Sequence, residues 1–206
     1  MVAIVDYGVG NLFSLKSSFS AIGAKAVVTS SAEELEKADS IILPGVGAFR
    51  DASEKLKNSG LENTVVALAK SGKPLMGICL GMQLLFEKSY EYGEHKGLGL
   101  IGGEIRPIES VVPNGFKIPH IGWNSLEIKK PSPIFENVNN GEYVYFVHSY
   151  YAADCDKSVT AVSDYGAKLT AAVQSGNIFG CQFHPEKSGE TGLKILRSFV
   201  ALGEER

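Results

Sequence analysis

The sequence predicts an α/β fold: an open, mostly parallel sheet with helices on both faces. Three observations carry that expectation. Short apolar runs alternate with helix-spaced segments through the first 86 residues, and such alternation implies right-handed crossovers and parallel pairing. Glycine-bearing turns follow the first and third runs, where open α/β sheets place ligand-contacting loops. The second half then changes to closely spaced β-like stretches divided by turn signals, which predicts antiparallel strands extending the sheet.

Taken in order, Val2–Val5 reads as the first strand, Gly8 and Gly10 as a loop, and Leu12, Leu15, Phe19 and Ile22 as one face of a helix. The two glycines resemble the start of a dinucleotide fingerprint, but Phe13 stands where a third glycine is needed, so that reading is weak. Ala26–Thr29 predicts a second strand, after which Ser30 or Ser31 caps a short helix with Glu33 and Glu34 in its first turn. Ser40–Leu43 predicts the third strand, ended by Pro44-Gly45-Val46-Gly47, and helices are expected near 48–57 and 61–70. An apolar run at 74–78 then reaches Cys79, and Met82, Leu85 and Phe86 set amphipathic helix spacing. Residues 87–103 are rich in glycine and charge and read as a loop with short turns. Strands are expected at 104–108, 116–121, 123–128, 143–150, 158–164, 169–174 and 178–183, the last two joined by a hairpin at Ser175-Gly176-Asn177. Leu193, Leu196, Phe199 and Val200 give 189–201 one apolar helix face. With no repeat, linker or low-complexity segment, residues 1–206 are expected to form one domain.

Composition narrows the function classes. A content of 44% hydrophobic and 21% charged residues is ordinary for a soluble globular chain. A net charge of −3 argues against a nucleic-acid footprint or attachment to an anionic membrane. No run approaches the roughly 18 apolar residues of a membrane span, and the chain enters its first strand pattern without a basic leader, so no signal peptide is expected. The three cysteines, Cys79, Cys155 and Cys181, form no Cys-x-x-Cys pair and are too few for a disulfide framework, which points to the reducing cytoplasm. His95, His120, His148 and His184 lack ligand spacing with cysteines or carboxylates, so neither a metal nor a cofactor is expected.

The chemistry centres on Gly77-Ile-Cys79-Leu-Gly81. This pattern suits a nucleophile elbow, a strained strand-to-helix turn that presents one side chain while flanking glycines remove steric conflict. A helix N-terminus favours thiolate over thiol, and the backbone N–H of Leu80 is placed to stabilise an oxyanion. Alone the pattern is weak, since free cysteine is commonly a small buried hydrophobe. The turn at 44–47 reads equally well as a tight connection or, with glycines opening unusual backbone conformations, as a source of N–H groups; beside an elbow, the second half of an oxyanion hole is the better reading. In His184-Pro185-Glu186, proline holds the histidine extended at a strand end, close enough for Glu186 to turn back onto the ring. A lone histidine is more often structural, but nucleophile, base and orienting carboxylate together follow the logic of a catalytic triad.

Pro44-Gly-Val-Gly, Gly77-Ile-Cys-Leu-Gly-Met-Gln and His184-Pro-Glu resemble, in order and spacing across nearly the whole chain, the signature blocks of class I glutamine amidotransferases. Within that family, Tyr7-Gly-Val-Gly-Asn, Pro119-His-Ile-Gly-Trp-Asn, Tyr145-Phe-Val-His-Ser-Tyr and His184-Pro-Glu-Lys-Ser resemble the glutaminase subunits of imidazole glycerol phosphate synthases. The resemblance implies a flavodoxin-like architecture and a glutaminase with Cys79 as nucleophile, His184 as acid and base, and Glu186 orienting His184. It implies oxyanion donors at Leu80 and in the Gly45-Val46 region, and glutamine held by Gly47, Gln83, Glu91 and the backbone at Ser149 and Tyr150. Gln83 lies four residues past Cys79, on the same helix face. Glu91, in a loop, otherwise reads as a solvated carboxylate. The implied partner is a cyclase subunit with a (β/α)8 barrel, forming a heterodimer and receiving ammonia for histidine biosynthesis. Asn11, Trp123, Asn124, Tyr145 and Lys187 match its docking face. Without the resemblance, Trp123 reads as core and Lys187 as an exposed charge. The rival readings are a glutaminase serving anthranilate, aminodeoxychorismate or pyridoxal phosphate synthesis, a cysteine peptidase or esterase, and a non-catalytic module of the same fold.

Overall fold

The computed structural model describes residues 1–204. Its first half runs β1 (Val2–Val5), α1 (Leu12–Ala21), β2 (Ala26–Thr29), α2 (Ala32–Lys37), β3 (Ser40–Leu43), α3 (Phe49–Asn58), α4 (Leu61–Lys70), β4 (Leu75–Ile78) and α5 (Leu80–Leu84). The second half adds β5 (Lys88–Ser89), β6 (His95–Lys96), β7 (Glu104–Pro107), β8 (His120–Ser125), β9 (Glu127–Ile128), β10 (Tyr143–His148), β11 (Tyr150–Ala153), β12 (Val159–Asp164), β13 (Lys168–Ser175), β14 (Ile178–Cys181) and α6 (Gly189–Glu204).

An eight-stranded sheet in the order β2-β1-β3-β4-β14-β13-β12-β9 forms the centre. Pairing is parallel from β2 to β14 and antiparallel beyond it. The residue-by-residue alternation of β1 shows why both faces are covered. Ala3 and Val5 join Leu35, Phe49, Leu56 and Val65 from α2, α3 and α4. Val2 and Ile4 join Leu15 and Phe19 of α1 and Leu196 and Phe199 of α6. A strand buried on both faces therefore reads as an unbroken apolar run. Of the two candidate serines, Ser31 caps α2 by accepting from the N–H of Glu34 at 3.4 Å, and α1 is capped by Asn11, which accepts from the N–H of Ser14 at 3.4 Å. Among the described residues, no helix is long and apolar enough to cross a membrane.

Four expectations need correction. The strands expected at 116–121 and 123–128 are instead the single strand β8, which passes through Gly122, followed by the two-residue β9. Before β8, Pro119 has no N–H for a ladder, and Phe116 packs edge-on against Tyr165 at 5.1 Å. The stretch 143–150 breaks at Ser149 into β10 and β11, which belong to different sheets. The loop at 87–103 contains β5 and β6, and β5 pairs with β7 in a small four-stranded sheet. Finally, α5 is not amphipathic, because all of its residues are buried. The segment 98–101 covers its end, with the N–H groups of Leu98, Leu100 and Gly99 donating to the carbonyls of Leu84, Leu85 and Phe86.

Candidate active site

The strand β4 and helix α5 meet at Cys79, whose φ of 54° and ψ of −113° lie where side chains rarely sit. That backbone turns the thiol outward from a tightly closed corner. A Cβ on Gly77 would stand 2.6 Å from the carbonyl oxygen of Gly81, and one on Gly81 would stand 1.9 Å from that of Leu43. Gly45 belongs to the same contact, since a Cβ there would meet the Gly81 nitrogen at 2.6 Å. The turn at 44–47 can lie on the elbow only because these positions carry no side chain. The first N–H groups of α5, at Leu80 and Gly81, have no partner inside the helix by position.

His184 arrives from the far end of the chain. Its backbone is extended, with φ −99° and ψ 98°, and its N–H donates to the carbonyl of Tyr145 at 2.9 Å. Pro185 opens a 3-10 turn, Pro185–Lys187, that swings Glu186 back until Oε1 accepts from Nδ1 of His184 at 2.8 Å. The two side chains are only 2% and 1% exposed. Burial disfavours charge on the ring, but the neighbouring Cys79 and Glu186 outweigh it and raise the His184 pKa to about 9. Nε2 is buried and makes no hydrogen bond, while the Cys79 thiol points to the carbonyl of Val147 at 3.9 Å. A protonated imidazole beside a thiol at a helix N-terminus can donate a proton to a leaving group and, once neutral, take one from water.

Cys79 and His184 open onto one cavity of about 250 Å³, lined also by Val46, Gly47, Leu80, Gln83, Glu91, Ser149 and Tyr150. Nine sequence-predicted residues thus converge on one space. Gly45 lies beneath the wall, and Glu186 lies behind His184. Glu91 is not a solvated carboxylate: its Oε2 accepts from the N–H of Phe49 at 2.6 Å, capping α3. Burial raises its pKa, opposed by that hydrogen bond. Gln83 donates through Nε2 to the Tyr150 carbonyl at 3.2 Å and to Oε1 of Gln182 at 2.9 Å.

Sequence reasoning missed Tyr7, Gln182, Pro119, Val147 and His148. Tyr7 donates its buried hydroxyl to the Pro44 carbonyl at 2.6 Å, and burial together with the nearby Cys79 raises its pKa, keeping it a donor. Gln182 donates to the Cys79 sulfur at 3.8 Å. Pro119, Val147 and His148 line the cavity. The signal for Gln182 was its place two residues before His184, but nothing local says that it faces Cys79.

The residues expected to form a docking face separate into two groups. Trp123 is 55% exposed, so it is not core. It sits edge-on to Tyr145 at 6.1 Å, and Nζ of Lys187 lies 5.9 Å from the Tyr145 ring. Asn124 instead shares the inner side of β8 with His120 and donates to the Asp164 carbonyl at 2.7 Å. Asn11 caps α1.

A family model described as glutamine amidotransferase class-I matches residues 3–202. The chain belongs to the class-I glutamine amidotransferases. This amidotransferase is 50% identical over 200 residues to the imidazole glycerol phosphate synthase subunit HisH of Caldanaerobacter subterraneus subsp. tengcongensis, covering 97% of each chain. It is 49% identical over 205 residues to the same subunit of Wolinella succinogenes, covering 98% of this chain and 100% of the relative. Among solved structures, a glutamine amidotransferase aligns with a TM-score of 0.77 at 21% identity, over 99% of this chain and 100% of the other. Thermotoga maritima PurLQS aligns with a TM-score of 0.74 at 22% identity, over 97% of both chains. At such identities the structural likeness speaks for the amidotransferase fold alone.

Proposed function

We propose that this amidotransferase hydrolyses glutamine to glutamate and ammonia and delivers the ammonia to a cyclase subunit. That partner, a (β/α)8 barrel, makes imidazole glycerol phosphate and an aminoimidazole carboxamide ribotide. The observation that carries the reading is the cavity itself, where the Cys79 thiol and His184 face the same space with Glu186 on the far nitrogen of the imidazole. The Cys79 thiolate attacks the side-chain amide carbon of glutamine, and the oxyanion is met by the N–H of Leu80 and one from the 45–46 segment. His184, protonated at neutral pH, gives its Nε2 proton to the departing amine, leaving a thioester and ammonia. The neutral ring then takes a proton from water as the hydroxide adds, and collapse expels the thiolate and yields glutamate. Gly47, Gln83, Glu91 and the backbone at Ser149 and Tyr150 hold the glutamine.

Activity depends on the partner in this reading. Val46 is 43% exposed, Gly47 has a φ of 93°, and one side of this short segment is anchored by Tyr7 at Pro44. The segment is therefore held on one flank by Tyr7 and on the other by Glu91 at Phe49, and in this reading the glycine between them lets a peptide N–H turn when the partner binds. The test is a glutaminase assay with and without the cyclase and its nucleotide. Slow turnover alone, strong stimulation in the complex, and no turnover in either case for Cys79→Ala are expected. Full turnover by the isolated chain, unchanged by the cyclase, would sink the partner-gated reading, and retained activity in Cys79→Ala would remove Cys79 from its role.

A further inference from the structure

Two buried histidines stand outside the triad. His148 closes β10 and lines the glutamine cavity; His120 opens β8 directly opposite it in the ladder. They are 6% and 3% exposed. The Tyr165 and Phe146 rings stack on His120 at 4.0 and 4.8 Å. Nδ1 of His148 lies 2.8 Å from the carbonyl oxygen of Tyr150, and its Nε2 lies 3.0 Å from Nδ1 of His120.

These distances fix where the protons are. A carbonyl only accepts, so Nδ1 of His148 carries the hydrogen. Burial holds the pKa of His148 down to about 3 and that of His120 down to about 4, so both rings are neutral and Nε2 of His148 is a lone pair. Nδ1 of His120 must then be the donor to it. The opposite arrangement would set a lone pair of His148 against the oxygen of Tyr150, so the two rings share one polarity.

We propose that His148 is a positioning residue for glutamine. Its Nδ1–H holds the Tyr150 carbonyl, and with it the peptide backbone at 149–150, in place at the cavity wall. His120 locks the required tautomer. The same carbonyl accepts from Gln83, so His148 and Gln83 together fix the strand break between β10 and β11 around the substrate. This assignment rests on the glutaminase reading above and adds a residue that touches the substrate-holding backbone without touching the reacting atoms.

The test combines a spectrum with three substitutions. Nitrogen-15 shifts of the isolated chain report the tautomer without substrate or partner, and Nδ1–H on both His148 and His120 is expected. Glutamine kinetics are then measured in the cyclase complex. In His148→Asn the amide nitrogen occupies the place of Nδ1 and donates to Tyr150, so KM stays within about twofold of wild type. His148→Gln reaches the place of Nε2 instead, and His148→Phe fills the volume without a donor; both raise KM about tenfold with little change in kcat, the size expected for one lost hydrogen bond to a binding group. A merely space-filling role predicts the reverse order, with Phe mildest and Asn worst. An Nε2–H tautomer in the wild type, or equal loss in the Asn and Gln variants, overturns the proposal. An Nδ1–H spectrum in a chain whose complex consumes no glutamine would support the histidine arrangement and overturn the glutaminase reading instead.

Discussion

At the scale of single residues, the site is built from an absence of atoms as much as from functional groups. Gly81 has no room for a methyl group, because its Cβ would lie 1.9 Å from a backbone oxygen of β3 that cannot move without parting the sheet. Gly81→Ala should therefore cost about 3 kcal/mol or more of stability, at the severe end for overpacking and backbone shift. Urea unfolding would show it, and a change under about 1 kcal/mol would mean that the corner relaxes freely. His184 gives a second expectation, in pH. The folded chain holds its proton up to about pH 9, against 6.5 for an unperturbed histidine. The native state thus binds more protons than the unfolded state between these values, so this contribution to stability is complete below pH 6.5 and is lost as pH rises through 9. Melting temperature should fall across that window in the wild type and fall less in Glu186→Gln, which removes the charge on the ring's partner. Parallel declines in the two proteins would dissociate the shift from Glu186.

At the scale of elements, helix α3 shows how a loop side chain serves structure and site together. Its N-cap is Ala48, which offers no side-chain acceptor, and the N–H of Phe49 is satisfied from 42 residues away by Glu91. Glu91→Ala should cost about 1 kcal/mol, the usual size for a lost N-cap, and should also raise KM for glutamine, because the same carboxylate lines the cavity. Denaturant unfolding and steady-state kinetics check the two arms separately. A variant that loses affinity at full stability would assign Glu91 to substrate alone, and one that loses only stability would assign it to the helix. The ribbon of β8 and β10 behaves as a comparable double-sided element. Its outer side carries Ile121, Trp123 and Tyr143, each more than half exposed, while the edge and inner side of β10 reach His184 through the Tyr145 carbonyl and the cavity through Val147 and His148.

At the scale of the whole molecule, legibility follows the range of the interactions. The parallel half could be read because each strand and helix announces itself within ten or so residues, through apolar runs, the Ser31 cap and the glycines of the elbow. The His184-Pro-Glu186 unit was equally local, since proline and a two-residue offset carry its geometry. Tyr7, Gln182 and His148 were not legible as site residues, because their partners at 44, 79 and 150 become neighbours through sheet order or, for His148, through an interruption of the strand at Ser149 that periodicity hides. The expected docking face lies between these cases: Trp123 could be named but not placed, and it is the exposure of its ring, beside Tyr145 in the ladder, that shows it faces outward. That placement makes a prediction about assembly. An exposed tryptophan edge-on to Tyr145, whose ring lies 5.9 Å from Nζ of Lys187, has the composition of an interface hot spot, where truncation typically costs 2 kcal/mol or more, about a thirtyfold loss of affinity. Trp123→Ala should weaken cyclase binding by about that factor in titration calorimetry. Because Trp123 lies outside the cavity lining, saturating cyclase should restore most of the stimulated glutaminase rate. Unchanged affinity would remove Trp123 from the interface, whereas a rate that stays low at saturation would mean that the ribbon transmits the partner's signal as well as binding it.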